Sequence, residues 1–123
     1  MLLDTSAWIE LFNGTKNAKR VEKVLVSEKC YTCITSIAEI VNWAGREGKD
    51  SEILIDGVIK HSTIIAIDRS IAALAGKLNF ERKKISSKWG MLDSFILASG
   101  TIYGLKILTK DNDFRGIPNI EIL

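Results

Sequence analysis

The sequence is poor in several residue types, and each shortage narrows the possible classes of protein. Its 123 residues include one histidine, one proline and two cysteines. No apolar stretch approaches the roughly 20 residues of a membrane-spanning helix, and no basic-then-apolar leader precedes Leu2. Apolar residues make up 46% of the chain, which is enough for a buried core and argues against disorder. We therefore expect one cytoplasmic domain over residues 1–123, with no membrane partner.

The two cysteines form a C-x-x-C pattern, Cys30 to Cys33, which is typical of redox and zinc sites. A redox pair would begin a helix after a strand, whereas this pattern lies inside a predicted strand. Side chains three residues apart in a strand point to opposite faces of the sheet. A zinc site would need further ligands, and only His61 could supply one. We therefore interpret both residues as thiols of the core or the surface.

The chain opens with three apolar residues, Met1 to Leu3, followed directly by Asp4. An apolar run without polar alternation predicts a strand that is covered on both faces, as in a parallel sheet between helices. Asp4 then lies at the carboxyl end of this strand, where open α/β sheets bind their ligands. The opening residues thus predict both the fold class and the position of a site.

Helix and strand signals alternate along the rest of the chain. Apolar residues at helical spacing predict helices over residues 5–13, 16–28, 50–60 and 92–103, with two more that begin at Ser36 and after the cap residue Asp68. Further strands are predicted over residues 30–35, 63–67, 106–109 and 120–123. This alternation predicts a three-layer α/β/α fold with a central parallel sheet and right-handed crossovers.

Acidic residues occur where such a fold places its ligand crevice. Three follow predicted strands and two lie in the first turns of helices, positions that meet at one edge of a parallel sheet. Carboxylates brought together repel unless a cation neutralises them, and an all-oxygen set selects Mg²⁺ or Mn²⁺ over zinc. Ser6 and Thr109 add hydroxyls that can orient a carboxylate or a metal-bound water. The acids are Asp4, Glu39, Asp93, Asp111 and Asp113.

Each acid also has an ordinary structural explanation. Asp4 would serve as a cap for the helix that follows it, and Glu39 would complete a capping box with Ser36. Asp93 would favour the dipole of its helix, and residues 111–113 have the composition of a turn. The five acids at one edge nevertheless favour a metal site. Without them the surface carries 17 basic side chains against ten acidic ones, which suits a phosphodiester substrate.

Four stretches together resemble the motifs of PIN-domain ribonucleases, and the compact length resembles the VapC-type toxins of that family. The resemblance covers essentially the whole chain in order, and it departs from the family at Leu92, where a small residue is usual. It implies Mg²⁺- or Mn²⁺-dependent RNA cleavage by Asp4, Glu39, Asp93 and Asp111, with Asp113 as a further metal ligand. The stretches are residues 3–6 (LDTS), 34–39 (ITSIAE), 92–98 (LDSFILA) and 108–114 (LTKDNDF).

The resemblance also implies products and partners. It predicts fragments with a 3′-hydroxyl and a 5′-phosphate, a homodimer, and inhibition by a small antitoxin protein. The residues agree with attack by metal-activated water, because a 2′-hydroxyl mechanism usually needs a histidine or a similar acid–base pair and His61 lies outside the motifs. Trp89 beside Lys88 is a candidate for stacking on a base.

Other functions remain open at this point. A PIN-type nuclease that processes RNA without being a toxin would have the same acids, and so would a PIN-like module that binds RNA or protein without cleavage. A phosphoacceptor receiver domain would need paired acids after its first strand, where this chain has Asp4 alone. A haloacid-dehalogenase-like phosphatase would need Asp-x-Asp there. We favour an endoribonuclease that is the toxin of a toxin–antitoxin pair.

Overall fold

The computed structural model describes residues 1–123 as five strands, six α-helices and one short 3-10 helix. None of the helices is both long enough and apolar enough to cross a membrane. The strands are β1 (Leu2–Leu3), β2 (Tyr31–Cys33), β3 (Thr63–Ile65), β4 (Ile107–Thr109) and β5 (Ile120–Ile122). The helices are α1 (Thr5–Phe12), α2 (Ala18–Ser27), α3 (Ile34–Glu47), α4 (Ser51–His61), α5 (Arg69–Arg82) and α6 (Met91–Tyr103), and the 3-10 helix is Asn112–Phe114.

All five strands run parallel, in the order β3-β2-β1-β4-β5. Strand β1 lies at the centre, where Leu2 is in register with Tyr31 of β2 and with Ile107 of β4. Parallel strands require long crossovers, and helices supply them here. The sequence prediction of a three-layer α/β/α fold with a parallel sheet is therefore confirmed.

The two faces of the sheet bury separate cores. Leu2 belongs to a cluster that also contains residues of α5 and α6, whereas Leu3 belongs to one with residues of α1 to α4. Successive side chains of a strand point to opposite faces, so two adjacent leucines serve both layers. Cys33 and Cys30 likewise lie in different clusters, and both are buried free thiols. The prediction of opposite faces for the C-x-x-C pattern is confirmed.

Two predicted boundaries near β2 are wrong. The strand ends at Cys33, and helix α3 begins at Ile34 and not at Ser36. Ser36 lies inside the helix, fully buried, and its hydroxyl has no hydrogen-bond partner. A serine before an apolar run is a typical helix cap, but here packing against the sheet extends the helix by two residues.

Candidate active site

The centre of the site is Asp4, which follows β1 at the carboxyl edge of the sheet. It occupies the position before helix α1, yet its side chain makes no capping hydrogen bond. Its Oδ2 instead accepts hydrogen bonds from the hydroxyls of Ser6 and Thr109, each at 2.7 Å. The residue is only 6% exposed. The helix-cap explanation of Asp4 is therefore wrong, and the two hydroxyls hold the carboxylate in one orientation.

The same two hydroxyls connect Asp4 to the chain after β4. Ser6 Oγ accepts from the backbone N–H of Lys110 at 2.9 Å, and Thr109 Oγ1 accepts from that of Asp111 at 3.0 Å. The hydroxyl oxygens lie 3.1 Å apart. Each hydroxyl thus accepts a hydrogen bond from the backbone after β4 and donates one to the carboxylate of Asp4. These bonds fix the backbone of Asp111 relative to Asp4.

Glu39 reaches the site from the second turn of α3. Its Oε1 accepts a hydrogen bond from Thr5 Oγ1 at 2.7 Å, and no bond to Ser36 is present. The capping-box explanation is therefore wrong, because Ser36 is buried within the helix. Thr5, which the sequence analysis did not single out, directly follows Asp4, so this bond connects Glu39 to the chain segment of Asp4. Its position inside the first motif was the available signal.

Asp93 and Asp111 keep their ordinary structural roles as well. Asp93 Oδ2 accepts from the backbone N–H of Gly90 at 2.9 Å, which holds the start of α6. Asp111 Oδ1 accepts from that of Asp113 at 2.9 Å, which caps the 3-10 helix. Each bond occupies one oxygen of the carboxylate. A capping role and a role in the site are therefore compatible for both residues.

The electrostatics indicate that the acids share one environment. We call Asp4, Glu39, Asp93, Asp111 and Asp113 the acidic cluster. Burial raises the pKa of Asp4, although the hydrogen bonds from Ser6 and Thr109 lower it, and the charge of Asp111 raises it further. Burial likewise raises the pKa of Glu39, with contributions from Asp4 and Asp93. Burial, followed by the charges of Asp111, Asp4 and Asp113, raises the pKa of Asp93 to about 6. Such raised pKa values are typical of functional sites.

The donor chemistry of the acidic cluster fits a hard divalent cation. Every potential ligand is a carboxylate oxygen, and hydroxyl and backbone hydrogen bonds reach Oδ2 of Asp4, Oε1 of Glu39, Oδ2 of Asp93 and Oδ1 of Asp111. The other oxygen of each acid takes no part in these bonds. As the side chains stand, no three acidic, histidine or cysteine residues converge closely enough to hold one ion. Binding of one ion would require side-chain rotations that bring these carboxylates closer together.

A second buried acid lies close by and was missed by the sequence analysis. Glu10 of α1 is 5% exposed, and its carboxylate pairs with Lys110 Nζ at 2.7 Å. Asn17 Nδ2 donates to it at 2.9 Å, and the Thr15 hydroxyl also donates to it. We call these four residues the Glu10 cluster. Burial alone would raise the pKa of Glu10, but these hydrogen bonds and the charge of Lys110 lower it to about 2.

The sequence interpretation of Trp89 as a stacking residue is wrong. Its side chain is fully buried and packs against Phe114, with 4.8 Å between the ring centroids. Its indole N–H donates to Ser94 Oγ at 2.7 Å. Trp89 is therefore unavailable to a base.

Two other residues lie where the sequence analysis placed them, outside the acidic cluster. His61 ends α4 ahead of β3, away from the carboxyl edge that carries the acids. Asp68 caps α5 by accepting a hydrogen bond from the backbone N–H of Ile71, as predicted.

The chain is similar to known proteins over almost its whole length. The model of the PIN domain family matches residues 1–120. Ribonuclease VapC11 of Mycobacterium tuberculosis is 30% identical over 129 residues, which covers 100% of this chain and 95% of that protein. A toxin–antitoxin complex from Klebsiella pneumoniae is 25% identical with a TM-score of 0.79, covering 98% of this chain and 94% of its own. Mycobacterium tuberculosis VapC20, described as a sarcin-ricin loop cleaving toxin, has the same fold at 13% identity, with a TM-score of 0.74 and coverage of 95% and 94%.

Proposed function

The chain belongs to the PIN domain family and is of the VapC type, and on that premise we propose that it is a Mg²⁺- or Mn²⁺-dependent endoribonuclease and the toxin of a toxin–antitoxin pair. The observation that carries the proposal is the orientation of Asp4. Its carboxylate is buried and held by two hydroxyls, and its pKa is raised by that burial and further by the charge of Asp111. A purely structural acid would pair with a basic side chain or cap the helix that follows it, and Asp4 does neither.

The proposed roles follow from the position of each acid. Asp4 and Asp111 are the first candidates to hold a cation, because the Ser6 and Thr109 hydroxyls fix one relative to the other. Asp93 is the next, and Glu39 and Asp113 complete the set around a first or a second ion. A divalent cation polarises a phosphodiester and lowers the pKa of water, so that the nucleophile can come from solvent.

The chain's own residues supply orientation and charge but no obvious base for a 2′-hydroxyl. The acids of the cluster would be held ionised by a cation, and the one histidine lies away from them. We therefore propose that the 3′-oxygen is the leaving group and that the products carry a 3′-hydroxyl and a 5′-phosphate. Exposed basic residues beside the site, such as Lys83, Lys84 and Lys88, suit the backbone of RNA.

Two partners belong to the same proposal. The neighbour from Klebsiella pneumoniae is described as a toxin–antitoxin complex, which supports a small antitoxin as an inhibitor of this chain. A homodimer is proposed as well, and the exposed apolar side chains of Ile34, Met91 and Leu92 next to the acids are consistent with a covered surface there.

The chemistry is tested by the ends of the cleaved RNA. A short RNA is digested with and without EDTA, the cut is mapped, and the digest is repeated with a 2′-O-methyl nucleotide at that position. We expect 5′-phosphate ends, no cleavage in EDTA, and cleavage of the methylated RNA. A 2′,3′-cyclic phosphate, or activity that survives EDTA, would contradict the proposal. Loss of cleavage on the methylated RNA alone would be weaker evidence against the proposal, since the methyl group can also clash sterically with the site.

The assignment as a toxin needs a separate test. Induced expression of the wild-type chain in a bacterial host should arrest growth, and co-expression of the adjacent small gene should relieve the arrest. A chain that cleaves RNA in vitro without arresting growth would instead be an RNA-processing nuclease. A chain with neither property would be a binding module.

A further inference from the structure

Three side chains from separate parts of the sequence pack against one another beside the acidic cluster. The guanidinium carbon of Arg82 lies 5.0 Å from the centre of the Trp89 ring, and the Trp89 ring lies 4.8 Å from that of Phe114. Arg82 ends α5, Trp89 lies in the connection to α6, and Phe114 belongs to the 3-10 helix. We call these three residues the Arg82 group. It joins the chain segments that carry Asp93 and Asp111.

Hydrogen bonds connect Arg82 and Trp89 to the chain segments that carry the acids. Arg82 Nη2 donates to the backbone carbonyl oxygen of Asp113 at 3.1 Å. Trp89 Nε1 donates to the hydroxyl of Ser94, the residue after Asp93, at 2.7 Å. The next residue after Trp89 is Gly90, whose N–H donates to Asp93 Oδ2. A displacement of Arg82 would therefore alter the separation between Asp93 and the turn at residues 111–115.

One feature of Arg82 argues against a role in stability alone. Its Nε is buried and has no hydrogen-bond partner. A buried donor without an acceptor is unfavourable, and replacing the arginine by an apolar side chain of similar length would remove that penalty. An arginine at this position is better explained by what its other nitrogen, Nη2, does for the turn.

Direct contact with a substrate phosphate is the other way an arginine could serve this site. The side chain is poorly placed for it, because Nη2 is already bonded to Asp113, Nε is buried, and the plane lies over Trp89. Lys83 and Lys84, which follow in the chain, are exposed and better suited to phosphate.

We propose that Arg82 is a positioning residue of the active site, which fixes the turn at residues 111–115 relative to the start of α6. Its catalytic consequence rests on the proposed function, since the separation of Asp93 from Asp111 decides how well the two could hold one cation. Its structural consequence, an ordered turn, is independent of any activity.

The test compares Arg82→Met with Lys77→Met, which removes the same positive charge from an exposed position of the same helix. Amide hydrogen exchange of residues 111–115 is measured without metal or RNA. Mn²⁺ affinity is measured by calorimetry without RNA, and kcat and KM are measured on a short RNA. Arg82→Lys is a second variant that keeps the charge but loses the planar fork, and it serves if the methionine variant does not fold.

For Arg82→Met we expect several-fold faster exchange confined to residues 111–115. We also expect Mn²⁺ affinity and kcat to fall by about 10- to 100-fold, the range for groups that support a metal ligand, with little change in KM. Lys77→Met should match the wild type in exchange and in Mn²⁺ affinity, and Arg82→Lys should change in the same direction as Arg82→Met.

Two results would overturn the proposal. One is exchange and Mn²⁺ affinity in Arg82→Met that equal those of Lys77→Met. The other is a raised KM with unchanged exchange, which would make Arg82 a contact for the RNA. Faster exchange in Arg82→Met, combined with a wild-type chain that binds no Mn²⁺, would support the positioning of the turn and count against the proposed function instead.

Discussion

Asp4 and Glu10 lie six residues apart, both are almost fully buried, and both accept hydrogen bonds from threonine hydroxyls, yet their pKa values are shifted in opposite directions. Glu10 has the ammonium of Lys110 beside it, which compensates the charge. Asp4 has other carboxylates near it and no basic side chain among its hydrogen-bond partners. The charge of Glu10 is therefore compensated within the chain, whereas no basic side chain pairs with an acid of the acidic cluster.

This difference separates two uses of a buried acid. An acid paired with a lysine connects distant parts of the chain, here α1 and the residue before Asp111. An acid among acids opposes folding, so its presence indicates binding or catalysis. Substitutions in the two clusters should accordingly have different effects, on stability in the Glu10 cluster and on activity in the acidic cluster.

The largest effect is expected for Asp4→Asn. Cleavage of RNA should fall by more than about 100-fold, because the effect of losing a ligand exceeds that of losing the groups around it. The thermal midpoint should stay equal or rise, since the amide oxygen can still accept from Ser6 and Thr109 while a buried charge is removed. Parallel cleavage and thermal unfolding assays measure this. A folded and active variant would remove Asp4 from the reaction.

The next largest effect is expected when Mn²⁺ is added, which should raise the stability of the wild type. An ion that binds only the folded chain should stabilise the wild type by about 2.7 kcal/mol at a concentration 100 times its Kd. The increase in thermal midpoint should persist in Glu10→Gln and disappear in Asp4→Asn. Equal increases in all three proteins would place the ion outside the acidic cluster.

Glu10→Gln should lower stability and keep activity, which is the opposite of the effect expected for Asp4→Asn. We expect a loss of about 1–3 kcal/mol in the free energy of unfolding at neutral pH, because Lys110 and Asn17 lose a charged acceptor, while cleavage per folded molecule is largely kept. The pKa of Glu10 in the folded chain, about 2, lies below its ordinary value of 4.5. Its stabilisation should therefore be complete above about pH 4.5 and be lost as the pH falls toward 2.

The pH dependence provides the control for that variant. Urea unfolding of both proteins from pH 7 to pH 2 should show a difference that is constant above pH 4.5 and vanishes near pH 2. A difference that persists at pH 2 would attribute the loss to packing and not to the charge of Glu10.

The smallest effects are expected from a matched pair of threonines, one for each acid. Thr15→Val removes a hydroxyl from Glu10 and should cost about 1 kcal/mol of stability with activity unchanged. Thr109→Val removes one from Asp4 and should lower kcat by about tenfold or more. Valine has nearly the shape of threonine, so packing is kept in both. Equal effects of the two variants on activity would contradict the distinction between the clusters.

Much of the fold could be predicted from the sequence, because it depends on local patterns. An apolar run before Asp4 and helical periodicity in the later segments were sufficient for a parallel sheet between two helical layers. The edge at which the five acids lie followed from the direction of the strands. Boundaries were less accurate, as at Ser36, because packing against the sheet decides where a helix begins.

The environment of each side chain could not be predicted in the same way. Glu10 looks like an ordinary polar position of an amphipathic helix, and its partner Lys110 is 100 residues away. Trp89 follows a basic run, which favoured an exposed position, but the ring is covered by Arg82 and Phe114. The hydrogen bond between Thr109 and Asp4 spans 105 residues.

The sequence by itself determined the fold class, the order of the elements and the identity of the acids at one edge of the sheet, because strand direction and hydrophobic periodicity are properties of neighbouring residues. Only the tertiary structure decided that Asp4 is held by two hydroxyls, that Glu10 is neutralised by a lysine and that Arg82 connects two motifs. Burial, pKa and hydrogen-bond partners depend on residues brought together from distant parts of the chain, and spacing along the sequence does not contain that information.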